Sequence, residues 1–223
     1  MKQTVPALAL LLTLAACGGA STDAAKTEAK QEAAVATGTA YVIDTTTAAV
    51  SWRATHKGGF APRFGVIKVT DGTLNVENGA VTGGNFEVNM NTLTTDPAAV
   101  TEADKKSTDL DGHLKSADFF DAAKFPTAKF VITAVAPFDS TKGQSLLPGA
   151  TNLISGNLTL KDSTLNITFP AQITVTDAEV TANAKFVIDR SAWGISYKTD
   201  GSPENWMISK DVEIGFSLKA AKK

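Results

Sequence analysis

Beyond residue 40, apolar and polar side chains alternate with a period of two along most of the chain. In residues 165–175, LNITFPAQITV, every odd-numbered position is apolar, and most even-numbered positions carry Asn, Thr or Gln. Residues 180–188 and 212–218 repeat the alternation, and shorter stretches around 86–91 and 129–133 follow it. Because successive side chains of a strand point to opposite faces, this pattern predicts antiparallel sheet with one apolar and one polar face.

Short turn sequences separate the alternating segments at the spacing of β-hairpins. They are Asp71-Gly72, Asn78-Gly79, Lys161-Asp162-Ser163 and Thr176-Asp177-Ala178. Residues 100–116 lack the alternation and are predicted to be helical. About eight strands are predicted, and residues 41–44 together with 48–56 are interpreted as one bent strand. The others lie near residues 62–70, 73–78, 81–93, 127–138, 152–161, 164–176, 179–190 and 206–219.

One long meander with a short helical insertion near residues 100–120 favours an all-β fold, an antiparallel eight-stranded barrel, since closure removes exposed strand edges. A two-sheet sandwich has the same periodicity and is the alternative. The polar face carries charges in mid-strand, at Glu87, Lys129, Lys185 and Glu213. This favours a soluble barrel with an apolar interior over an outer-membrane barrel, whose polar side faces the lumen. Eight strands enclose a space that side chains fill or that holds one slender ligand.

The first seventeen residues, MKQTVPALALLLTLAAC, have one Lys, an apolar run and then small residues, which is typical of a secretory signal. The apolar run is too short for a transmembrane helix. Leu14-Ala15-Ala16-Cys17 resembles the lipobox of bacterial lipoproteins, in which the Cys becomes the acylated N-terminus after cleavage. We therefore expect residues 1–16 to be a lipoprotein signal peptide and Cys17 to anchor an extracytoplasmic protein, in the periplasm or cell envelope, to a membrane. A plain signal peptide is the alternative.

Residues 18–39 contain almost only small and charged side chains, with Val35 as the one bulky apolar residue. Such a composition cannot bury a core, so residues 17–39 are predicted to be a lipidated Cys followed by a flexible tether. Residues 40–223 then form one domain with a sizeable core. The formal net charge of −2 and the lack of a Lys/Arg run argue against nucleic acid as a partner.

The sequence holds no motif typical of an enzyme, neither a G-x-S-x-G elbow nor a Gly-rich phosphate loop. Cys17 is the only cysteine, so a disulfide or a Cys-based metal site within the chain is excluded. His56 and His113 are the only histidines, and the acidic residues between 109 and 121 resemble a calcium loop that lacks its downstream Glu. We interpret that cluster as a solvated surface, and we expect no catalytic residue, no metal and no cofactor.

Four segments of the chain carry a recognisable pattern: AAVSWRATHKGGFAPRFGVIKVTDGTLNV, GGNFEVNMNTLTT, GHLKSADFFDAAKFPTAKFVITAV, and ISGNLTLKDSTLNITFPAQI followed by AKFVIDRSAWGI. They resemble the YceI family, a bacterial extracytoplasmic family with a lipocalin-like barrel. The segments span most of residues 40–220, and the third is the most distinctive. The turn after residue 160 departs from the family pattern, in which Gly often occupies the position of Asp162 or a neighbour.

The resemblance implies that a long isoprenoid lipid, of polyprenyl phosphate or quinone type, lies inside the barrel and is carried, shielded or sequestered there. The apolar strand face then lines a tunnel. Phe119, Phe120 and Phe125 are predicted to fold over one barrel mouth as an apolar lid, or else to plug a filled core. The candidate lining residues are Trp52, Phe64, Phe86, Val88, Phe119, Phe120, Phe130, Ile132, Leu158, Leu160, Ile167, Phe169, Phe186, Ile188, Trp193, Ile214 and Phe216.

Three basic residues near predicted strand ends are candidates for contact with the polar head group of the ligand: His56, Arg63 and Arg190. Arg190 has paired donors that suit an anionic head. An exposed rim histidine is the alternative for His56, and a structural ion pair with Asp189 is the alternative for Arg190. If side chains fill the barrel, the alternative function is a lipoprotein scaffold or stress-response adaptor that binds a protein partner through its outer surface.

Overall fold

The computed structural model describes residues 24–56, 58–199 and 207–223. The predicted signal peptide, residues 1–16, and the proposed acylation site Cys17 lie outside the described residues. The described part of the chain is mostly strand, as predicted, with one short α-helix. Its elements are β1 Lys26–Ala29, β2 Thr39–Ile43, β3 Ala49–His56, β4 Arg63–Glu77, β5 Ala80–Asn89, β6 Thr94–Thr95, α1 Ser107–Lys115, β7 Thr127–Pro137, β8 Asn152–Leu160, β9 Ser163–Val175, β10 Glu179–Asp189 and β11 Ile208–Lys222.

Eight strand positions close into one antiparallel barrel. β3, β4, β5, β7, β8, β9, β10 and β11 pair in this order, and β11 pairs back with β3. β2 and β3 share one position, because β2 pairs with the later part of β4 and the end of β11, while β3 pairs with the earlier part of both. The predicted barrel is therefore confirmed, the sandwich is excluded, and the first two strands behave as one bent strand.

The two faces of the barrel wall follow the alternation in the sequence. On the inner face of β10, Val180 is fully buried and Phe186 is 4% exposed. On the outer face, Lys185 of the same strand lies 3.0 Å from Glu213 of β11. Exposed ion pairs of this kind contribute at most about 1 kcal/mol to stability, so their main effect is to keep the outer surface polar. The apolar side chains point inwards, as predicted for a soluble barrel.

The predicted turn at Asp71-Gly72 is wrong, because β4 runs without interruption from Arg63–Glu77. The pairing of β4 with β5 shifts register between Val69 and Asp71, which marks a β-bulge. A Cβ atom on Gly72 would lie only 2.8 Å from the backbone oxygen of Asn85, so glycine permits the close approach of the two strands. An Asp-Gly pair favours a bulge as well as a turn, and only the pairing with β5 distinguishes them.

The other predicted hairpin turns form at the positions that the sequence indicates. Asn78 and Gly79, between β4 and β5, both have positive φ angles, 52° and 78°, as a two-residue type I′ hairpin requires. Lys161 takes the positive φ, 55°, in the turn between β8 and β9. Asp162, which stands where the family often has Gly, is not among the residues with positive φ, so its side chain is accommodated there without backbone strain.

Residues 24–38 lie against the barrel wall and are called the N-terminal strap. β1 pairs with β9 between Leu165 and Thr168. These residues of β9 do not pair with β10, because only residues 171–175 of β9 do. The flexible tether predicted for residues 17–39 is therefore corrected for its described part. The strap docks through backbone hydrogen bonds, so its lack of bulky apolar side chains does not prevent the docking and gives no sign of it in the sequence.

Two buried asparagines on the outer face of the wall hold the strap. Asn157 makes two hydrogen bonds to Gln31: its Oδ1 accepts from the backbone N–H at 3.0 Å and its Nδ2 donates to the carbonyl at 2.7 Å. Asn166 is 1% exposed, and its Nδ2 donates to Asn157 Oδ1 and to Thr133 Oγ1. The strap thus covers polar groups that would otherwise face solvent on the outside of an eight-stranded barrel.

The insertion between β5 and β7 contains the helix. α1 begins at Ser107, where the carboxylate of Asp109 accepts a hydrogen bond from the backbone N–H of Lys106. The predicted helix over residues 100–116 is therefore shorter than expected, because residues 100–106 form a loop. We call the barrel end that carries this insertion and the β8–β9 turn the mouth end, and the end that carries the β4–β5 and β9–β10 turns the closed end.

Candidate functional site

The interior of the barrel is hollow on its mouth side. A cavity of about 780 Å³ extends from the mouth end into the barrel, and its lining is mostly apolar. The inward-facing residues therefore surround a space instead of filling it. Their role in binding stays a prediction. Fourteen of the seventeen candidate lining residues border the cavity: Trp52, Phe86, Val88, Phe119, Phe120, Phe130, Leu158, Leu160, Ile167, Phe169, Phe186, Ile188, Ile214 and Phe216.

Five phenylalanines from five strands meet at the inner end of the cavity, and we call them the phenylalanine floor: Phe86, Phe130, Phe169, Phe186 and Phe216. Phe169 and Phe186 stack with ring centroids 4.0 Å apart. The ring of Phe86 lies 5.5 Å from that of Phe130 and 5.7 Å from that of Phe216. Tilted and edge-on pairs at these separations are the favourable arrangements of aromatic rings, so the floor is a packed layer.

The barrel is almost solid on the closed side of the floor. The void there has a volume of only about 30 Å³, against about 780 Å³ on the mouth side. Aliphatic side chains such as Leu74, Ile154 and Leu218, each at most 5% exposed, pack around it. A Cβ atom on Gly156 would lie 2.1 Å from Cζ of Phe130, so this glycine provides the room for the ring.

Three of the candidate lining residues lie elsewhere. Phe64 is flanked in β4 by Arg63, which borders the cavity, so Phe64 points to the outer face. Ile132 points inwards but borders the small void on the closed side of the floor. Trp193 lies in the 3₁₀ turn Arg190–Trp193 and is 1% exposed. Its indole N–H donates to the carbonyl of Leu158 at 3.0 Å. Apolar character alone suggested these residues, and their positions in the fold exclude them from the cavity.

An aromatic cluster covers part of the mouth. Phe119 is 5% exposed, and its ring centroid lies 5.1 Å from those of both His113 and Tyr197. Phe120 also borders the cavity, and so do Leu110, His113 and Leu114 of α1. Phe125, the third aromatic residue of the predicted lid, does not border the cavity. The insertion thus forms an apolar cover over a hollow barrel.

Three charged residues at the mouth, Glu102, Lys105 and Lys106, were not candidates in the sequence, because they lie in the irregular loop before α1 and carry no recognisable motif. Arg63 donates to the carbonyl of Ala99 at 2.8 Å and pairs with Glu102. A hydrogen bond from its own backbone amide lowers the pKa of Glu102, and the charge of Arg63 lowers it further. Arg63 therefore fixes the loop, and its guanidinium is already engaged. Further charged residues bordering the mouth are Asp109 and Lys198.

Arg190, a candidate for head-group binding, is 5% exposed and holds backbone carbonyls. Its Nη1 donates to Ile195 at 2.7 Å, its Nη2 to Tyr197 at 2.9 Å and Ile208 at 3.3 Å, and its Nε to Ser209 at 3.1 Å. Burial lowers the pKa of this guanidinium. Because four of its five N–H groups are satisfied by the chain, the geometry favours a structural role at the mouth end.

The two histidines both lie at the mouth. His56 borders the cavity, and its backbone N–H donates to the carbonyl of Phe60 in the β3–β4 loop. His113 Nε2 lies 2.9 Å from Asp118 Oδ2. Within residues 24–56, 58–199 and 207–223, no three His, Cys, Asp or Glu side chains are grouped so that they could hold a metal ion. In the same ranges no helix has the length and apolar character needed to cross a bilayer.

The barrel with a mouth-side cavity defines a class of small β-barrel domains, and comparison with known sequences identifies the family. The family model for the YceI-like domain matches residues 41–220. The chain therefore belongs to the YceI family, as the resemblance predicted.

Among curated relatives, a UPF0312 protein of Shewanella denitrificans is 35% identical over 133 residues, which are 59% of this chain and 60% of the relative. Protein YceI of Escherichia coli is 32% identical over 124 residues, which are 56% of this chain and 55% of the relative. The aligned region thus spans somewhat more than half of these relatives.

Two solved structures share the fold. Burkholderia cenocepacia BcnA has a TM-score of 0.58 and 19% sequence identity, with 80% of this chain and 99% of BcnA covered. A polyisoprenoid binding domain from Saccharophagus degradans, implicated in plant cell wall breakdown, has a TM-score of 0.54 and 11% identity, with 83% and 99% covered. At these identities the likeness shows the fold, and the cavity of this chain must carry any functional argument.

Proposed function

We propose that this protein binds an isoprenoid lipid and holds its tail in the mouth-side cavity, so that the lipid is shielded from water. The observation that carries the proposal is the hollow, mostly apolar space of about 780 Å³ inside the barrel. This volume lies in the range of natural ligand pockets, which is roughly 300–1,000 Å³. Support also comes from the polyisoprenoid binding domain of Saccharophagus degradans, which shares the fold.

An apolar tail is the ligand that this lining suits best. Burying a methylene group contributes about 0.8 kcal/mol, so a five-carbon isoprene unit contributes roughly 4 kcal/mol before the costs of ordering and immobilisation. Two or three buried units therefore suffice for tight binding without any polar contact to the tail. The polar groups around the mouth, including His56, Lys105 and Lys198, are then placed to meet the head group, of quinone or polyprenyl phosphate type.

The alternative function, a scaffold or adaptor that binds a protein partner, requires no cavity and was the expectation for a barrel filled by side chains. A barrel packed only for stability gains nothing from a large void, because empty apolar space costs packing energy. The mouth-side cavity therefore favours ligand binding over a purely structural barrel.

Lipid extraction tests the proposed function directly. The full chain is expressed in a bacterial host with its signal sequence, purified in mild detergent, and analysed by native mass spectrometry and by organic extraction. We expect a prenyl lipid at close to one molecule per protein chain, removed by solvent and restored by added prenyl alcohol. Protein that is empty from every preparation and binds no added prenyl alcohol would overturn the proposal.

We also propose that acylated Cys17 anchors the protein to a membrane, where it receives or delivers its lipid. The support is the sequence Leu14-Ala15-Ala16-Cys17 and the signal-like run before it. Cys17→Ala should abolish the incorporation of labelled fatty acid into the protein, and this is the deciding measurement, because the uncleaved apolar signal sequence can itself hold the variant at a membrane. Incorporation of labelled fatty acid into Cys17→Ala at the level of the wild type would contradict the anchoring through Cys17.

A further inference from the structure

We propose that the phenylalanine floor sets the length of isoprenoid tail that the protein accommodates. This inference rests on the proposed function. The floor divides the barrel interior into an open part and a filled part, and a linear tail that enters from the mouth must stop against it. The five rings are therefore specificity-determining residues for tail length, and the preferred ligand is a lipid whose buried portion matches the cavity.

The floor lies between the mouth-side cavity and the small void on the closed side, as the residues that border these two spaces indicate. Phe86, Phe130 and Phe216 line both the large cavity and the void of about 30 Å³ on the closed side. These three side chains are thus the wall between the two spaces. The void on the closed side, about 30 Å³, is far smaller than the mouth-side cavity of about 780 Å³, so the space open to a tail ends at these rings.

The floor is supported from several sides, so a tail cannot easily displace it. Phe130 fits against Gly156, where any side chain would collide with the ring. Phe169 is 1% exposed and lies next to Phe130, Phe186 and Phe216, with centroid distances of 5.7, 4.0 and 5.9 Å. Moving one ring therefore requires its neighbours to move, and close-packed interiors resist such rearrangement.

The volume of the cavity gives the expected limit. A water molecule occupies about 30 Å³ in the liquid, and with a similar allowance for each carbon a five-carbon unit needs roughly 150 Å³. The cavity of about 780 Å³ then accommodates about five units. A tail with more units must leave its remainder at the mouth, beside Phe119 and Phe120 or in water, where each further unit gains less apolar burial.

The test measures affinity for all-trans prenyl alcohols of increasing length, from about three to about eight units, by competition in native mass spectrometry. We expect the Kd of the wild-type protein to fall by about tenfold or more per added unit, since each unit buries several methylene groups. Beyond about five units the Kd should become nearly constant. The length at which this plateau begins is the measured quantity.

Phe216→Ala should move the plateau to longer tails. The substitution removes six carbon atoms, against the five of one isoprene unit, so we expect the plateau to move by about one unit. It also joins the cavity to the void beyond the floor. Because a large-to-small change in the core lowers stability, Phe216→Leu serves as a milder variant that removes three carbon atoms and should shift the plateau in the same direction by less.

Phe60→Ala is the matched control. Phe60 is 69% exposed in the β3–β4 loop and does not border the cavity, so the same chemical change there should leave the plateau at its wild-type length. A plateau that is unchanged in folded Phe216→Ala and Phe216→Leu would overturn the floor as a length limit while leaving isoprenoid binding intact. If the Kd of the wild-type protein falls without any plateau, the inference also fails. If the wild-type protein binds no prenyl alcohol, the proposed function itself fails.

Discussion

Val212→Trp should abolish isoprenoid binding while the barrel stays folded. Val212 lies on β11 opposite Ile188 and Ala54, and it borders the mouth-side cavity. The substitution adds seven heavy atoms to the side chain inside a cavity of about 780 Å³. These atoms outnumber the five carbons of one isoprene unit, which is worth roughly 4 kcal/mol before ordering costs, so we expect the Kd for a prenyl alcohol to rise at least about 100-fold.

The control for this substitution is Val66→Trp. Val66 lies on the outer face of β4 and is 43% exposed, so the indole there cannot reach the interior. Both variants should keep the far-UV circular dichroism of the wild type, and only Val212→Trp should lose binding in a titration with prenyl alcohol. If Val212→Trp is folded and binds as tightly as Val66→Trp, the ligand does not occupy the mouth-side cavity.

Arg190→Leu should lower the free energy of unfolding by at least about 4 kcal/mol. The guanidinium of Arg190 is buried and donates to four backbone carbonyls, two of which belong to Ile195 and Tyr197 and two to the start of β11. Leucine fills part of the space but leaves those acceptors without donors, and each unsatisfied buried group costs about 1–3 kcal/mol. Urea unfolding followed by tryptophan fluorescence measures the change.

Arg53→Leu provides the matched comparison for Arg190→Leu, because Arg53 is exposed on the outer face of β3. A surface substitution of this kind should change the free energy of unfolding by less than about 0.5 kcal/mol. Equal stability of the two variants, together with selective loss of binding to prenyl phosphates in Arg190→Leu, would contradict the structural role and would identify Arg190 as a head-group contact.

The alternation of apolar and polar residues was sufficient to predict antiparallel sheet with an apolar interior, and the single long meander favoured a barrel over a sandwich. A period of two determines which side chains share a face, and charges such as Lys185 and Glu213 determine which face is wet. The turn at Asn78-Gly79 was predictable because that pair favours the positive φ angles of a two-residue hairpin. The same reasoning failed at Asp71-Gly72, where the choice between a turn and a bulge depends on a neighbouring strand that local sequence does not specify.

The N-terminal strap shows a second limit of sequence reasoning. Its side chains are small or charged, so nothing in them indicates burial against a core. It docks through backbone hydrogen bonds to β9 and through the side chain of Asn157, which lies 126 residues away along the chain. Contacts that use the backbone are available to almost any sequence, so composition cannot predict them.

By itself, the sequence indicated that the barrel wall has one apolar and one polar face, that the apolar face is the interior and, for most residues, on which side of the wall they lie, because these properties follow from local alternation. Only the tertiary structure decided how the inward residues share the interior. Five phenylalanines from separate strands meet ring to ring in one layer, although only Phe86 and Phe130 are direct partners across a strand pair, and Gly156 leaves room for one of the rings. Whether a barrel is hollow or solid depends on such long-range packing, since the volume left inside is a property of all the strands together.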